Sequence, residues 1–345
     1  MAGTIHHAND ADVFSAAATV AICTLNRLAL VRESITATLA QMDHFPHAHL
    51  VVVDNGSTDG TIDYLNELAA ADRRVIIRHE ARLGLYYARV TAISASPGDF
   101  IVFLDDDAVP DAGWLVNILR PLVREPGVGV SGCVARPRWL AARPNWFPDR
   151  FLDEFAAIRD TGRRRVCTFP AYPPGLGLAV RRHPCLELFS HPRRMAIGLG
   201  HKSNDDTKPI YSGEDTDICE LYARNGFSVV VDPGPGVAHA VHGSRLNPQW
   251  FLRRFRSEGH NRIYLCRLFG RPVLSRHTWK MFAMWPVLAL LRLIAPVLGA
   301  QRSILVRAYY EKSTAAWIEA VKGPREKPLP FTMAEATPDG DQSRS

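Results

Sequence analysis

Short apolar runs alternate with amphipathic stretches along the first third of the chain. Apolar runs that end on polar or turn-forming residues are typical of buried strands in a parallel sheet, and amphipathic stretches are typical of helices packed against it. The predicted strands span residues 19–25, 50–53, 74–78 and 101–104. The predicted helices span residues 29–42, 62–71 and 85–95. This alternation of strand and helix predicts an α/β fold with a parallel sheet.

The polar residues that follow these strands are expected to lie close together. Crossover connections between parallel strands are right-handed, so the carboxyl ends of the strands share one edge of the sheet. Open α/β folds bind their ligands at that edge. The residues predicted to lie there are Thr24, Asn26, Asp54, Asn55, Asp105, Asp106 and Asp107.

The three consecutive carboxylates of Asp105, Asp106 and Asp107 are the most informative part of this edge. Like charges beside a core repel one another unless something positive lies there. A hard divalent cation that bridges substrate phosphates is the usual partner, since Mg²⁺ and Mn²⁺ prefer oxygen ligands. We therefore expect a metal–phosphate site. The alternative is an acidic turn before the next helix, with Asp111 as its N-cap.

Residues 211–244 form the second informative stretch. A helix predicted to begin after Gly213 holds three acidic residues in its first turn, namely Glu214, Asp215 and Asp217. Acidic residues there favour the helix dipole, which explains all three without a catalytic role. His239 follows a strand and a Pro-Gly turn, and taken alone it is more simply a structural histidine in an apolar strand.

A glycine pattern at 127–132 fits the spacing of a dinucleotide fingerprint. The fingerprint requires strand, glycine turn and helix in that order, whereas these glycines fall in a predicted fifth strand at 128–135 that no helix follows. We interpret them as strand glycines. From residue 136 to about 210 the periodicity is lost, which is typical of substrate-facing loops or a variable subdomain.

Composition narrows the class of protein. The 345 residues suffice for one large domain with an appendage or for two domains, and 47% hydrophobic with 22% charged residues is typical of a globular protein. The net charge of +6 permits an anionic partner, but nucleic acid is not expected, because the arginine-rich stretches lack interleaved aromatic residues. Six scattered cysteines and an N-terminus without a secretory signal predict a cytoplasmic protein.

Residues 281–300 are apolar enough to raise the question of a membrane span. Pro286, Arg292 and Pro296 argue against a span, since an arginine near its middle costs roughly 2.5–3.5 kcal/mol. Cations flank the stretch at Lys280, Arg302 and Arg307. They favour contact with an anionic membrane surface, so we expect peripheral association with the inner face of the cell membrane. A helical subdomain or dimer surface and a true span are the alternatives.

The aspartate triplet, the turn DNGSTDGT at 54–61 and the segment GED…H at 213–239 together resemble the inverting glycosyltransferases of family 2. The resemblance covers about residues 20–244. It implies the GT-A fold, which is a Rossmann-like, mostly parallel central sheet flanked by helices, here with a C-terminal helical extension. It also implies a nucleotide-sugar donor, a divalent cation (Mg²⁺ or Mn²⁺) and a hydroxyl acceptor on a glycan or a lipid-linked glycan.

The resemblance also implies roles for single residues and a division of the chain. Donor-binding residues would be Thr24, Asn26, Arg27, Asp54, Asn55, Arg89, Asp105 and Asp106. Asp107 and His239 would bind the metal, and Asp215, next to Glu214, would be the general base. The expected parts are a disordered lead-in at 1–17, a nucleotide-sugar-binding half at 18–135, an acceptor-binding half at 136–245, a helical region at 246–323 and a disordered tail at 324–345.

Two other functions remain open from the sequence. A nucleotidyltransferase also pairs metal-bound aspartates with such a sheet, but it would need a glycine-rich basic loop after the first strand, where residues 24–27 offer none. A sugar-nucleotide-binding protein without catalysis is the third interpretation, and the presence of Asp215 and the aspartate triplet counts against it.

Overall fold

The computed structural model of the chain describes residues 10–148, 152, 158–189, 213–276 and 278–322. The strands are β1 (Ala18–Thr24), β2 (His49–Asp54), β3 (Val75–His79), β4 (Phe100–Asp105), β5 (Ala108–Pro110), β6 (Val128–Gly132), β7 (Ala135–Trp139), β8 (Arg165–Cys167), β9 (Gly177–Arg181), β10 (Ser228–Val231) and β11 (Val237–Val241). The helices are α1 (Ala11–Phe14), α2 (Leu28–Met42), α3 (Thr61–Ala71), α4 (Leu85–Ala95), α5 (Trp114–Arg124), α6 (Arg182–Phe189), α7 (Glu214–Arg224), α8 (Pro248–Leu268), α9 (Trp279–Ala283), α10 (Trp285–Ile294) and α11 (Ala300–Val321).

An eight-stranded sheet forms the centre of the fold, in the order β3-β2-β1-β4-β9-β6-β10-β8. The first four of these strands are mutually parallel. Thr24 is in register with Asp54, and Cys23 is in register with Asp105. The carboxyl ends of β1, β2 and β4 therefore meet at one edge, and the predicted mostly parallel sheet flanked by helices is confirmed.

Side chains alternate between the two faces of this sheet because successive residues of a strand point to opposite sides. On one face, Val20 and Ile22 of β1 pack with residues of α2, α3 and α5. On the other, Ala21 of β1 packs with residues of α4 and α7. Both faces are covered, which explains why the parallel strands are continuous apolar runs.

The middle of the chain departs from the sequence-based expectation. The predicted strand at 128–135 is two strands, β6 in the large sheet and β7 in a separate three-stranded sheet of order β5-β11-β7. In addition, β9 lies within the aperiodic region, yet it is buried between β4 and β6 and antiparallel to both. Five residues that follow a proline-rich stretch carry too little periodicity to distinguish a strand from a loop.

The small sheet brings a distant part of the chain to the end of β4. After Asp105 the chain turns through Asp106 and Asp107 and enters β5, which pairs antiparallel with β11. His239 of β11 is in register with Ala108, and the Ala240 N–H donates to the Asp107 carbonyl at 2.8 Å. This pairing places His239 beside the aspartate triplet.

The expectation that residues 1–17 lack structure is not met at residues 10–17. Helix α1 buries Val13, and Asp10 is buried with an ion pair to Arg120 at 2.9 Å and to Arg124 at 2.8 Å, both on α5. A helix of four residues is too short to produce a periodic pattern that could have predicted it. The predicted tail at 324–345 and residues 190–212 of the predicted acceptor half lie outside the described residues.

The predicted helical extension is present from α8 onward. Helices α8 and α11 pack at close range where Gly259 has no side chain. A Cβ added there would lie 2.1 Å from the Lys312 carbonyl oxygen. Phe251 and Phe255 of α8 bury their rings in the same cluster as Ile304 of α11. Among the described residues, no helix combines the length and the apolar character needed to cross a membrane.

Candidate active site

Asp106 is held by the end of β1 and the turn that follows it. Thr24 Oγ1 donates to Asp106 Oδ2 at 2.8 Å, and Arg27 Nη1 donates to Asp106 Oδ1 at 2.7 Å. The same Arg27 nitrogen donates to Asp107 Oδ2 at 2.9 Å. Burial raises the pKa of Asp106 to about 6, although the charge of Arg27 and these hydrogen bonds oppose the shift. Thr24 and Arg27, both predicted to bind the donor, therefore form direct hydrogen bonds with the aspartate triplet.

Asp105, Asp107 and His239 form the one group among the described residues that could hold a metal ion, with their ligand atoms within 4.8 Å of one another. His239 Nε2 lies 3.2 Å from Asp107 Oδ1, and both side chains are buried. The Asp105 side chain is 36% exposed, so the group opens toward solvent on that side. The sequence assigned Asp105 to the donor alone, and the structure adds it to the possible ligands.

The electrostatics of this group fit a divalent cation. Burial opposes ionisation of Asp107, yet the hydrogen bond and charge of His239 and the charge of Arg27 lower its pKa to about 2. A ring nitrogen this close to a carboxylate oxygen needs a proton or a cation between them. Two carboxylates and one imidazole are a donor set that suits Mn²⁺, and carboxylates also suit Mg²⁺. The residues present therefore fit the predicted metal.

Arg89 lies between the triplet and the acidic start of α7. Its guanidinium is buried beneath the site, with Nη2 3.7 Å from Asp105 Oδ1. Burial acts to lower the pKa of Arg89, but the charges of Glu214, Asp105 and Asp215 raise it above its ordinary value. The Arg89 guanidinium therefore interacts with carboxylates of two separate elements, β4 and α7.

Asp215 lies in the first turn of α7, at the wall of a cavity of about 510 Å³. Its Oδ2 accepts a hydrogen bond from the Gly175 N–H at 3.0 Å, and its Oδ1 accepts one from the Thr216 N–H at 2.8 Å. Glu214 is buried, and its Oε2 accepts from the Gly213 N–H at 3.1 Å. Asp215 is therefore the carboxylate of this pair that faces open space.

Gly175 connects the two halves of the site, and the sequence did not single it out. Its N–H holds Asp215, and a Cβ added to it would lie 2.5 Å from Arg89 Nη2. With a side chain at position 175, the guanidinium would have to leave its present position. The proline pair that precedes it, Pro173-Pro174, was the only local signal.

The remaining predicted donor-binding residues shape the edge of the sheet. Asn26 has a positive φ of 53°, and its Oδ1 accepts from the Thr58 N–H at 2.7 Å. Asp54 accepts from the Ser57 N–H at 3.2 Å. Asn55 Oδ1 accepts from the Gly84 N–H at 2.8 Å, and its Nδ2 donates to two carbonyls in residues 80–82. These bonds tie together the loops that follow β1, β2 and β3.

Arg245 is a second residue that sequence reasoning missed. It lies in a 3₁₀ turn at Gly243–Arg245, with Nη2 3.9 Å from Asp107 Oδ2. Burial and the neighbouring Arg27 charge lower its pKa, against the raising effect of Asp107. No spacing rule pointed to it, because a single arginine after a glycine and a serine has no distinctive pattern.

The comparison with protein families agrees with this geometry. Residues 19–171 match "Glycosyl transferase family 2", which is the family that the resemblance named. The matched residues include β1 to β4, the aspartate triplet and Arg89. This match favours a glycosyltransferase over a nucleotidyltransferase.

Individual relatives extend the similarity beyond that region. The chain is 22% identical over 257 residues to the glucosyl-dolichyl phosphate glucuronosyltransferase of Haloferax volcanii, covering 72% of this chain and 77% of that protein. It is 23% identical over 267 residues to the succinoglycan biosynthesis protein ExoM of Rhizobium meliloti, covering 76% and 78%.

A solved structure shows the fold. The mannosyltransferase PcManGT of Pyrobaculum calidifontis, determined in complex with GDP-Man and Mn²⁺, superimposes with a TM-score of 0.59 at 20% identity, covering 90% of this chain and 88% of that one. The predicted GT-A fold is confirmed.

The contact between Gly175 and Arg89 generates a first prediction. We expect Gly175→Ala to lower donor hydrolysis by about 10–100-fold, because the added methyl group displaces Arg89 or the backbone that holds Asp215. The matched control is Gly127→Ala, where an added Cβ meets nothing within 4 Å. Turnover is measured together with the thermal midpoint of each variant. Wild-type turnover in Gly175→Ala would show that the Arg89 position is not critical.

Proposed function

We propose that the protein is an inverting glycosyltransferase that moves a hexosyl or deoxyhexosyl group from a nucleoside-diphosphate-sugar to a hydroxyl group of a glycan or lipid-linked glycan. The observation that carries this proposal is the juxtaposition, through Arg89, of the Asp105–Asp107–His239 group and a carboxylate at a cavity, Asp215. Inversion requires one displacement with a base on the acceptor side, and no covalent intermediate.

Asp215 is the base in this proposal. It accepts the proton of the acceptor hydroxyl as the acceptor oxygen forms its bond to the anomeric carbon. The bond from that carbon to the β-phosphate oxygen breaks, and the nucleoside diphosphate leaves with the electron pair. The two hydrogen bonds to the Asp215 carboxylate from Gly175 and Thr216 fix its orientation before the acceptor arrives.

Asp105, Asp107 and His239 would hold the divalent cation. When bound, such a cation stabilises the charge that develops on the diphosphate leaving group. Arg27 and Arg245 approach Asp107 on its other oxygen at 2.9 and 3.9 Å, so they fix the carboxylate that faces the cation. The GDP-Man and Mn²⁺ bound to the mannosyltransferase with the same fold support this assignment.

Replacement of Asp215 tests the role of the base. We expect Asp215→Asn to lower kcat by about 10²–10⁴-fold and to leave donor affinity within about twofold, because the amide cannot accept the proton. The assay is transfer or hydrolysis across UDP-, dTDP- and GDP-sugars with Mn²⁺, and donor affinity comes from calorimetry. Asp63→Asn is the matched control, since Asp63 is an exposed aspartate in the first turn of α3.

Three results would contradict this function. One is a wild-type protein that turns over none of these donors with Mn²⁺ or Mg²⁺. Another is a product that retains the anomeric configuration of the donor, which a single displacement cannot give. The third is loss of donor binding in Asp215→Asn, which would assign the carboxylate to the donor instead of the acceptor.

We also propose that the protein lies on the anionic inner face of the cell membrane through its C-terminal helices. On α10 and just after it, apolar side chains are largely exposed: Leu290 by 68%, Leu293 by 77% and Val297 by 83%. Lys280, Arg302 and Arg307 are exposed on the flanking helices. An exposed apolar strip beside cations suits the boundary between headgroups and acyl chains of anionic lipid.

Liposome binding tests this surface. We expect Leu290→Ser with Leu293→Ser to weaken binding to vesicles with anionic lipid by at least tenfold, since each buried leucine contributes about 1.5–3 kcal/mol. Val166→Ser is the control, because Val166 is 68% exposed but lies on β8 in the large sheet. Sedimentation with neutral and anionic vesicles measures the effect. Equal binding of all variants would rule out this surface.

A further inference from the structure

The cavity beside Asp215 carries more positive than negative charge. Among the described residues that line it, four are arginines and two are carboxylates. The arginines are Arg159, Arg165, Arg254 and Arg262, and the carboxylates are Asp215 and Glu258. Two excess positive charges around a cavity of this size repel one another, and an anion that enters the cavity would be attracted.

One face of α8 supplies half of these arginines. Arg254, Glu258 and Arg262 are spaced four residues apart, so they share a side of the helix. Arg254 Nη2 pairs with Glu258 Oε1 at 2.8 Å, whereas Arg262 forms no hydrogen bond or ion pair in the part of the chain that the structure describes. Burial acts to raise the pKa of Glu258. The charges of Arg254, Lys312 and Arg262 lower it by more, so the pKa lies below its ordinary value.

Among the described residues, the start of β8 shows the same division: Arg164, just before the strand, is paired, and Arg165, its first residue, is not. Arg164 pairs with Asp232 Oδ2 at 2.8 Å and with Glu125 at 2.7 Å, so it stabilises the sheet edge. Arg165 points to the other side of the strand and lines the cavity with Cys167. Within the described residues it has neither a carboxylate nor a carbonyl partner. Its guanidinium is therefore available to a ligand.

From these charges we infer that the acceptor is anionic: it carries a phosphate or carboxylate group that Arg165 and Arg262 bind while its hydroxyl group faces Asp215. Guanidinium groups match the geometry of both oxyanions through paired N–H donors. A neutral acceptor would leave both arginines without a direct ion pair or hydrogen bond among the described residues. This inference rests on the proposed function, because it assigns the acceptor to the cavity that contains the base.

The first experiment measures binding of inorganic phosphate to the full chain by calorimetry, without donor or turnover. We expect the double variant Arg165→Gln/Arg262→Gln to bind phosphate at least tenfold more weakly than the wild type, since each charged hydrogen bond lost contributes that much. The control is Arg163→Gln/Arg256→Gln, which removes two exposed arginines of the same segment and helix that do not line the cavity. It should bind phosphate within twofold of the wild type.

Two results of this experiment overturn the inference. Equal phosphate affinity in all three proteins would place the anion elsewhere, for example at the edge that holds Arg27. No measurable binding to the wild type would show that the cavity does not attract an oxyanion. Circular dichroism of each variant verifies that the fold is retained, so that a loss of affinity reports on the arginines.

Competition identifies the source of the anionic group. Glucose 6-phosphate represents a soluble phosphorylated acceptor, a short-chain prenyl phosphate represents a lipid-linked one, and glucose is the neutral control. Displacement of phosphate by either anionic compound and not by glucose supports the inference and names the source, whereas displacement by neither overturns it. Donor hydrolysis is measured separately, so a protein that hydrolyses a donor but fails these tests keeps the proposed function and loses only the anionic acceptor.

Discussion

Three adjacent carboxylates at the end of a buried strand need positive charges close by, and the site depends on this requirement. Asp105, Asp106 and Asp107 leave β4 where the sheet ends, and isolated charges there would be costly. Three distant parts of the chain supply the cations: Arg27 after β1, Arg89 on α4 and Arg245 after β11. Each contact also fixes a carboxylate in place, so the residues that stabilise the edge also orient the site.

Topology makes these contacts possible. Parallel strands bring the ends of β1 and β4 to one edge, and the short pairing of β5 with β11 adds His239 from more than 130 residues further along the chain. The cavity beside Asp215 is built separately by α7, α8 and the residues before β9. Arg89 and Gly175 lie between the edge of the sheet and this cavity. A change of a few atoms there affects both the Asp105–Asp107–His239 group and Asp215.

The sequence predicted the first half of the fold because β1, β2 and β4 are mostly apolar runs with both faces buried. The pattern also placed the aspartate triplet at the edge of the sheet, because charged residues at a strand end are visible in it. The roles of Asp215 and His239 came only from the family resemblance, since the pattern alone explains Asp215 by the helix dipole and His239 as a structural histidine. It could not predict β9, because its partners in the sheet are set by tertiary pairing alone. Nor could it find Gly175, whose importance comes from the space that Arg89 occupies.

Binding of Mn²⁺ to the full chain tests the central claim most directly. Electron paramagnetic resonance measures free Mn²⁺ in titrations with UDP and with GDP. The account predicts that at least one nucleotide tightens Mn²⁺ binding to the wild type, and that Asp107→Asn weakens Mn²⁺ affinity in that complex at least tenfold. Unchanged Mn²⁺ affinity in a folded Asp107→Asn variant would contradict it.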